Sequence, residues 1–141
     1  MKKFTGYDYD DVGRIYNFSD GTKYYSVTTA LGVTKDGTFL EEWRERVGRE
    51  RAEAITKLAC NVGTSMHEVL ECYMKKEDPD PPPTNYIQNL ANQVIPYIDR
   101  RVSRVHQVET ILYSDKFKLA GTADGIVRYD NHLAILDFKT A

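Results

Sequence analysis

The segment Gly121–Ala141, GTADGIVRYDNHLAILDFKTA, alternates apolar and polar residues on both sides of Asp130-Asn131-His132. Alternation with a period of two marks a half-buried strand, and the Asp-Asn pair is turn chemistry. The segment is therefore read as two strands, about 117–129 and 133–139, joined by a turn. Residues two apart on a strand share a face. Asp137 and Lys139 then lie on one face, and Phe138 points the other way, into the core. Pairing across a tight turn places Asp124 opposite residues 136–138, close to Asp137. Two carboxylates and an ammonium converge at one end of a sheet.

The rest of the chain supplies the setting. It has 141 residues, 41% hydrophobic and 28% charged, the composition of one folded domain and not of a disordered segment. No apolar run approaches the ~20 residues needed to cross a bilayer, so no membrane partner is expected. The opening MKKFTGYDYDD has lysines but no apolar stretch behind them, and is not read as a signal peptide. Two cysteines, Cys60 and Cys72, are too few for a disulfide framework or, unaided, for a four-thiolate iron–sulfur cluster. They point to an intracellular, cytoplasmic setting. With a net charge of -2, a nucleic-acid partner must be held by local patches or by bound metal, not by bulk charge.

Upstream, RIYNFSDGTKYYSV (14–27) reads as a hairpin around Asp20-Gly21. VTTALGV (27–33) is left unassigned, and Lys35-Asp36-Gly37 is a turn. Thr38-Phe39-Leu40-Glu41 has the spacing of a capping box that opens a helix of about 20 residues. Gly63-Thr64 interrupts it, with Thr64 as the N-cap of a second helix running to about Lys76. EDPDPPPTN (77–85) is a stiff connector. A third helix starts at Tyr86 and carries Ile87, Leu90, Ala91, Val94, Ile95, Ile98, Val102 and Val105, with Pro96 kinking or splitting it. QVETILY (107–113) is a strand. A hairpin, then helices, then a mixed or antiparallel sheet carrying the site is an α+β order.

Asp124, Asp137 and Lys139 make chemical sense around a divalent cation. Carboxylate oxygens suit Mg²⁺ or Mn²⁺, and such an ion acidifies water and neutralises charge on a phosphate. The lysine can orient that water or hold transition-state charge. The plainer reading is a surface ion pair worth little. GTSMHEVLE (63–71) adds His67 and Glu71 at i and i+4, on one helix face. A neutral imidazole there can ligate a metal; a lone helical histidine is more often an ordinary surface or core residue. This is not the zinc-protease HExxH, because Glu71 stands where the second histidine belongs. Arg44, Arg46, Arg49, Arg51 and Lys57, or Arg100, Arg101 and Arg104, could track a phosphate backbone. Glu45, Glu50 and Glu53 interleave with the first group, which fits intrahelical pairing equally well.

Taken in order, SVTT (26–29), Trp43 on a basic helix, GTxxHxxxE (63–71), Glu109, GTADG (121–125) and LDFKTA (136–141) resemble the PD-(D/E)xK nucleases. The branch is the RecB-type exonucleases, which includes mitochondrial genome maintenance exonucleases and phage relatives. The resemblance implies a restriction-endonuclease-like α/β/α core and a metal-dependent DNA nuclease, an exonuclease acting on single strands or ends in recombination, repair or replication. It makes Asp124 and Asp137 metal ligands, completed by His67 and by the backbone carbonyl of Phe138. Lys139 becomes the catalytic lysine. Glu71 matches a recurrent acidic position that supports the ligands or a second metal. Glu109 either approaches the site from its strand or is simply solvated. Thr140 is placed to touch a phosphate. A phage origin would put the protein in the infected host cell.

The family pattern continues past the lysine strand with a helix bearing a Gln and a Tyr, and with further strands. Residues 1–141 are therefore read as a single nuclease domain lacking its C-terminal helix and strands. Three expectations follow: a fragment, a split half completed by a second polypeptide, or a degenerate remnant.

Overall fold

A computed structural model describes residues 2–140; Ala141, which ends the LDFKTA motif, lies outside them. The chain is organised in two compact units, each built from segments distant in sequence. One comprises the chain through Thr38 together with Ile111–Thr122; the other comprises Phe39–Thr110 together with the chain from Ala123 onward.

In the first unit, β1 (Phe4–Tyr9), β2 (Arg14–Phe18) and β3 (Lys23–Ser26) form an antiparallel meander. The Asp20-Gly21 hairpin is present as read. The preceding strand β1 was not foreseen, because its DYDD end has turn composition. Tyr16 pairs with Tyr7 on one side and Tyr24 on the other. Tyr16, Phe18, Tyr24 and Ala120 are buried together, with Phe4 and Ile111 against them. The Lys2 ammonium bonds Asp115 at 2.5 Å and lies 4.6 Å and 4.9 Å from the Tyr24 and Tyr113 ring centres. Residues 27–34 form a helix, α1 (Val27–Thr34). Ser26 caps it by accepting the Thr29 amide at 2.9 Å, which supplies the start signal that the β-branched VTT hides.

The second unit holds α2 (Thr38–Val47), α3 (Arg49–Lys75), α4 (Asn85–Arg101) and β6 (His132–Leu136). Two long strands, β4 (Val102–Ser114) and β5 (Leu119–Tyr129), run through both units. Strand pairing follows β1-β2-β3-β5-β4, with β6 on β5. The β3–β5 pair is parallel and the β5–β6 pair antiparallel. This mixed sheet with four helices is the α+β arrangement that the element order implies.

Several boundaries move. The helical break falls at Gly48, whose φ of 91° leaves the helical region, and α3 continues unbroken through Gly63 and Thr64. Thr64 is thus not an N-cap. An interior glycine costs a helix only about 1 kcal/mol, and α3 recovers more by burying Met66, Val69, Leu70 and Met74. At the start of α2, Asp36 accepts the Thr38 amide at 3.0 Å, and Glu41 pairs with Arg44 and Arg49 instead of closing a capping box. Helix α4 passes through Pro96 without splitting. Proline costs ~3 kcal/mol inside a helix, and the buried Ile87, Ala91 and Ile98 face offsets it. Val102 and Val105 leave the helix and open β4, the state their β-branching favours. Strand β6 ends at Leu136, so Asp137–Thr140 is irregular and the face-sharing argument for Asp137 and Lys139 does not apply as drawn.

The core of this unit joins Met66, Val69, Leu70, Met74, Ile87, Ala91, Ile98 and Phe138. Along β5, Ala123, Val127 and the hydrogen of Gly125 face it; Met74 Sδ and Leu136 Cβ lie 3.5 and 3.6 Å from where a Gly125 Cβ would stand.

Candidate functional site

Three segments of the second unit meet at Asp124. Strand β5 carries Asp124 between the inward-facing Ala123 and Gly125. The chain leaving β6 passes beside it, and the Phe138 amide donates to Asp124 Oδ2 at 2.7 Å. Helix α3 brings His67, whose Nε2 stands 3.2 Å from the same oxygen. The buried Phe138 ring anchors this segment and meets the His67 imidazole edge-on, at 6.2 Å between centres. The β5–β6 register pairs Gly125 with Leu136 across a two-residue turn in which Asp130 and Asn131 have φ of 49° and 66°. That register is what brings Asp137 beside Asp124.

His67 is oriented from behind. Its Nδ1 lies 2.8 Å from the Gly63 carbonyl. A carbonyl only accepts, so Nδ1 carries the hydrogen and the lone pair of the neutral ring sits on Nε2. That lone pair faces a carboxylate oxygen, and two acceptors 3.2 Å apart require positive charge between or upon them. Asp124 and Asp137 are close enough to share a proton. Burial, then Asp137, raises the Asp124 pKa against the opposing Phe138 amide and His67. For Asp137, burial pulls upward but Asp124 and Lys139 outweigh it, and its pKa falls. Asp124 is the better shielded, at 19% side-chain exposure against 53%, in keeping with the opposite directions of the two shifts.

Lys139 Nζ lies 3.2 Å from Asp137 Oδ2 and is 81% exposed. Glu71, one turn beyond His67, accepts from Lys75 at 2.7 Å. Glu109 sits in β4 with a φ of 48°, a left-handed bulge uncommon for glutamate. Burial, then a hydrogen bond with Glu71, raises its pKa, with further repulsion from Asp124. Glu109 is nevertheless exposed, so both of its readings stand. His67, Asp124, Asp137, Phe138 and Lys139 are thus linked by direct contacts, and Glu71 meets Glu109. The approach of Phe138 is seen through its amide.

Lys75 and Gly63 were missed. The i,i+4 spacing of Glu71 and Lys75 was a legible signal for the first; a carbonyl role for Gly63 has no side-chain signature. Of the basic residues, Arg44 and Arg49 pair with Glu41, and Arg101 with Asp130.

Among the described residues no three His, Cys, Asp or Glu side chains form a preformed metal cage. The chemistry of the donors nevertheless fits a hard divalent cation: an imidazole lone pair and two adjacent carboxylates, one lysine between them. Among the described residues no helix is long and apolar enough to cross a membrane.

No family model matches this sequence. The chain is similar to mitochondrial genome maintenance exonuclease 1 of the mouse, Mus musculus. The two are 27% identical over 128 residues, which covers 82% of this chain and 36% of the relative. The chain thus spans about a third of the relative's length. The matched protein is an exonuclease by name.

Proposed function

We propose that the protein is a metal-dependent DNA nuclease, an exonuclease of the PD-(D/E)xK type that hydrolyses phosphodiester bonds in single strands or at ends. The observation that carries this reading is the convergence of His67, Asp124 and Asp137 from three separate segments, with Lys139 alongside. The likeness to the mouse exonuclease supports it.

In this reading Asp124, Asp137, His67 Nε2 and the Phe138 carbonyl would hold Mg²⁺ or Mn²⁺, which supplies charge neutralisation and acidifies water. The chain's own groups do the rest. Gly63 fixes the His67 tautomer, and the Phe138 amide fixes the Asp124 carboxylate. Water attacks phosphorus, the phosphorus–oxygen bond to the sugar breaks, the sugar oxygen leaves as a hydroxyl with a proton that originates in the water, and the Lys139 ammonium stabilises the negative charge that develops on the phosphate. Lys75 orients Glu71, which supports the ligands. Thr140 lies at the phosphate's edge. The biological setting is DNA recombination, repair or replication.

The test is cleavage of end-labelled single-stranded DNA by the 141-residue chain. Cleavage that needs Mg²⁺ or Mn²⁺, stops with chelator and is lost in Lys139→Ala supports the enzyme. Cleavage that persists in Lys139→Ala refutes it. A second reading makes the chain a non-catalytic or split half whose site a second polypeptide completes. The 81% exposure of Lys139 favours it, since such chemistry works best with water excluded. Activity appearing only on addition of that polypeptide distinguishes the two.

A further inference from the structure

Helix α4 of the second unit buries one side and carries a row of different composition on another. Ile87, Ala91 and Ile98 lie in the core with Val69 and Leu70 of α3. At about 100° per residue, Tyr86, Asn89, Gln93, Tyr97 and Arg100 form a second row, about 140° around the helix from the first. All five are exposed, Tyr86 at 63% and Tyr97 at 54%. Amides, a guanidinium and two phenols are the chemistry of a wetted face and not of a core awaiting cover.

Arg100 is held in place before any ligand arrives. Its Nε donates to the Pro96 carbonyl at 3.4 Å, and its guanidinium lies 5.2 Å from the Tyr97 ring centre. Its two terminal nitrogens have no partner among the described residues. Asp99, the one acid of α4, stands about 160° around the helix from Tyr97 and accepts the Tyr73 hydroxyl; Arg101 is taken by Asp130. The row thus holds an uncompensated cation beside an exposed ring and no carboxylate. Resting on the nuclease reading above, we infer that this row binds single-stranded nucleic acid away from the cluster at Asp124, with bases stacked on Tyr86 and Tyr97 and a phosphate on Arg100. Exposed rings take bases whatever the sequence, and a guanidinium fork suits a phosphate. Tyr86 and Tyr97 are eleven residues apart, about 16 Å along the axis, the reach of about five nucleotides stacked at 3.4 Å. Between them Asn89 and Gln93 have amides free, among the described residues, for base edges and sugar oxygens. A duplex hides its base faces, so the rings select a single strand.

The experiment is fluorescence anisotropy of a labelled oligothymidine of about 15 nucleotides with the 141-residue chain in EDTA, so that binding is read without metal-dependent cleavage. The chain is expected to bind it at least about tenfold more tightly than a blunt duplex of the same length. Tyr86→Ala and Tyr97→Ala each weaken binding by about fivefold or more. Tyr97→Phe keeps it, whereas Tyr97→Leu loses as much as alanine, because a flat ring and not apolar bulk is needed. Arg100→Ala weakens it and lessens the dependence of log affinity on log salt by about 0.7. The Tyr86→Ala/Tyr97→Ala variant keeps its melting temperature within about 2 °C, since the rings bury little. Unchanged affinity in that variant overturns the inference even if the chain cleaves DNA. Binding through the two rings by a chain that cleaves nothing once Mn²⁺ is added upholds it and sinks the nuclease reading instead. Equal affinity for the duplex, an equal loss in Tyr97→Phe and Tyr97→Ala, or a larger fall in melting temperature overturns it. So does a proline-rich peptide, or a second copy of the chain, that occupies the same rings while the oligonucleotide does not.

Discussion

Replacing Gly63 with alanine sets two effects of opposite sign against each other. Gly63 lies inside α3, where alanine stabilises a helix by about 1 kcal/mol over glycine. Its new Cβ would stand 3.3 Å from the Thr140 hydroxyl oxygen, a few tenths of an ångström too close. Helix α3 is held by a buried face, whereas Thr140 is exposed in an irregular segment, so the segment gives way. Stability then rises by about 0.5–1 kcal/mol, roughly 2–5 °C in melting temperature. Lys139 and Asp137 move with Thr140, and displacements of this order in a catalytic group cost about tenfold in rate. The assays are urea unfolding and metal-dependent cleavage of labelled single-stranded DNA. Removing the opposing oxygen with Thr140→Ala relieves the contact, so Gly63→Ala costs little activity in that background, a coupling that a double-mutant cycle reads directly. Full stability gain with unchanged activity refutes the reasoning, because the close approach would then not govern the site. Lower stability in Gly63→Ala refutes it differently, by showing that the 137–140 segment does not yield.

Lys139→Ala lowers the cleavage rate by about 10²–10³-fold and leaves the urea midpoint unchanged, since the side chain buries almost nothing. Mn²⁺ at a hundredfold excess over its Kd stabilises the wild-type chain by about 2.7 kcal/mol, seen as a rise of roughly 10 °C in melting temperature; Asp124→Ala abolishes the rise. Leu70→Ala, at a fully buried position of α3, costs about 2–5 kcal/mol in urea unfolding. In the first unit, the Lys2 ammonium holds Asp115 below the usual carboxylate range of 3.8. The stability it contributes is complete above that value and is lost as pH falls toward its folded pKa, so Asp115→Asn flattens the acid limb of the melting profile below about pH 4.

The hairpin and its turn were legible because period-two alternation over 123–128 and 133–136 is a strong local signal. The candidate site was legible because Asp124, Asp137 and Lys139 stand at fixed offsets on that hairpin, and His67 and Glu71 four apart on α3. What escaped was set by tertiary context. Gly63 was taken for a break because glycine is a weak helix former. A long α3 tolerates it because Met66, Val69, Leu70 and Met74 farther along the helix are buried, and the close passage of Thr140 leaves little room for a larger residue. The glycine that does end a helix, Gly48, looks no different in sequence; its φ of 91° comes from the turn between α2 and α3. Val102 and Val105 matched the helical period of α4 and the β preference of β4 equally well, and sheet pairing decided. The bulge at Glu109 has no glycine or asparagine to announce it.

The direction of the carboxyl pKa values sets Asp124 and Glu109 apart from the scaffold carboxyls, although Asp137, paired with Lys139, moves downward with the latter. Asp10, Asp20, Asp36 and Asp115, all in the first unit, are lowered by hydrogen bonds from Tyr25, Thr22, Thr38 and Lys2 respectively. Each has a structural task in a turn, cap or ion pair, and each is stabilised as the anion. Among the described residues Asp124 and Glu109 are the two carboxyls moved upward, in both cases by burial first and by a neighbouring carboxyl next. Two lysines serve four acids here: Lys75 answers Glu71 and Lys139 answers Asp137, and Asp124 and Glu109 are left with the deficit. The divalent cation proposed above would supply the positive charge that these carboxyls lack.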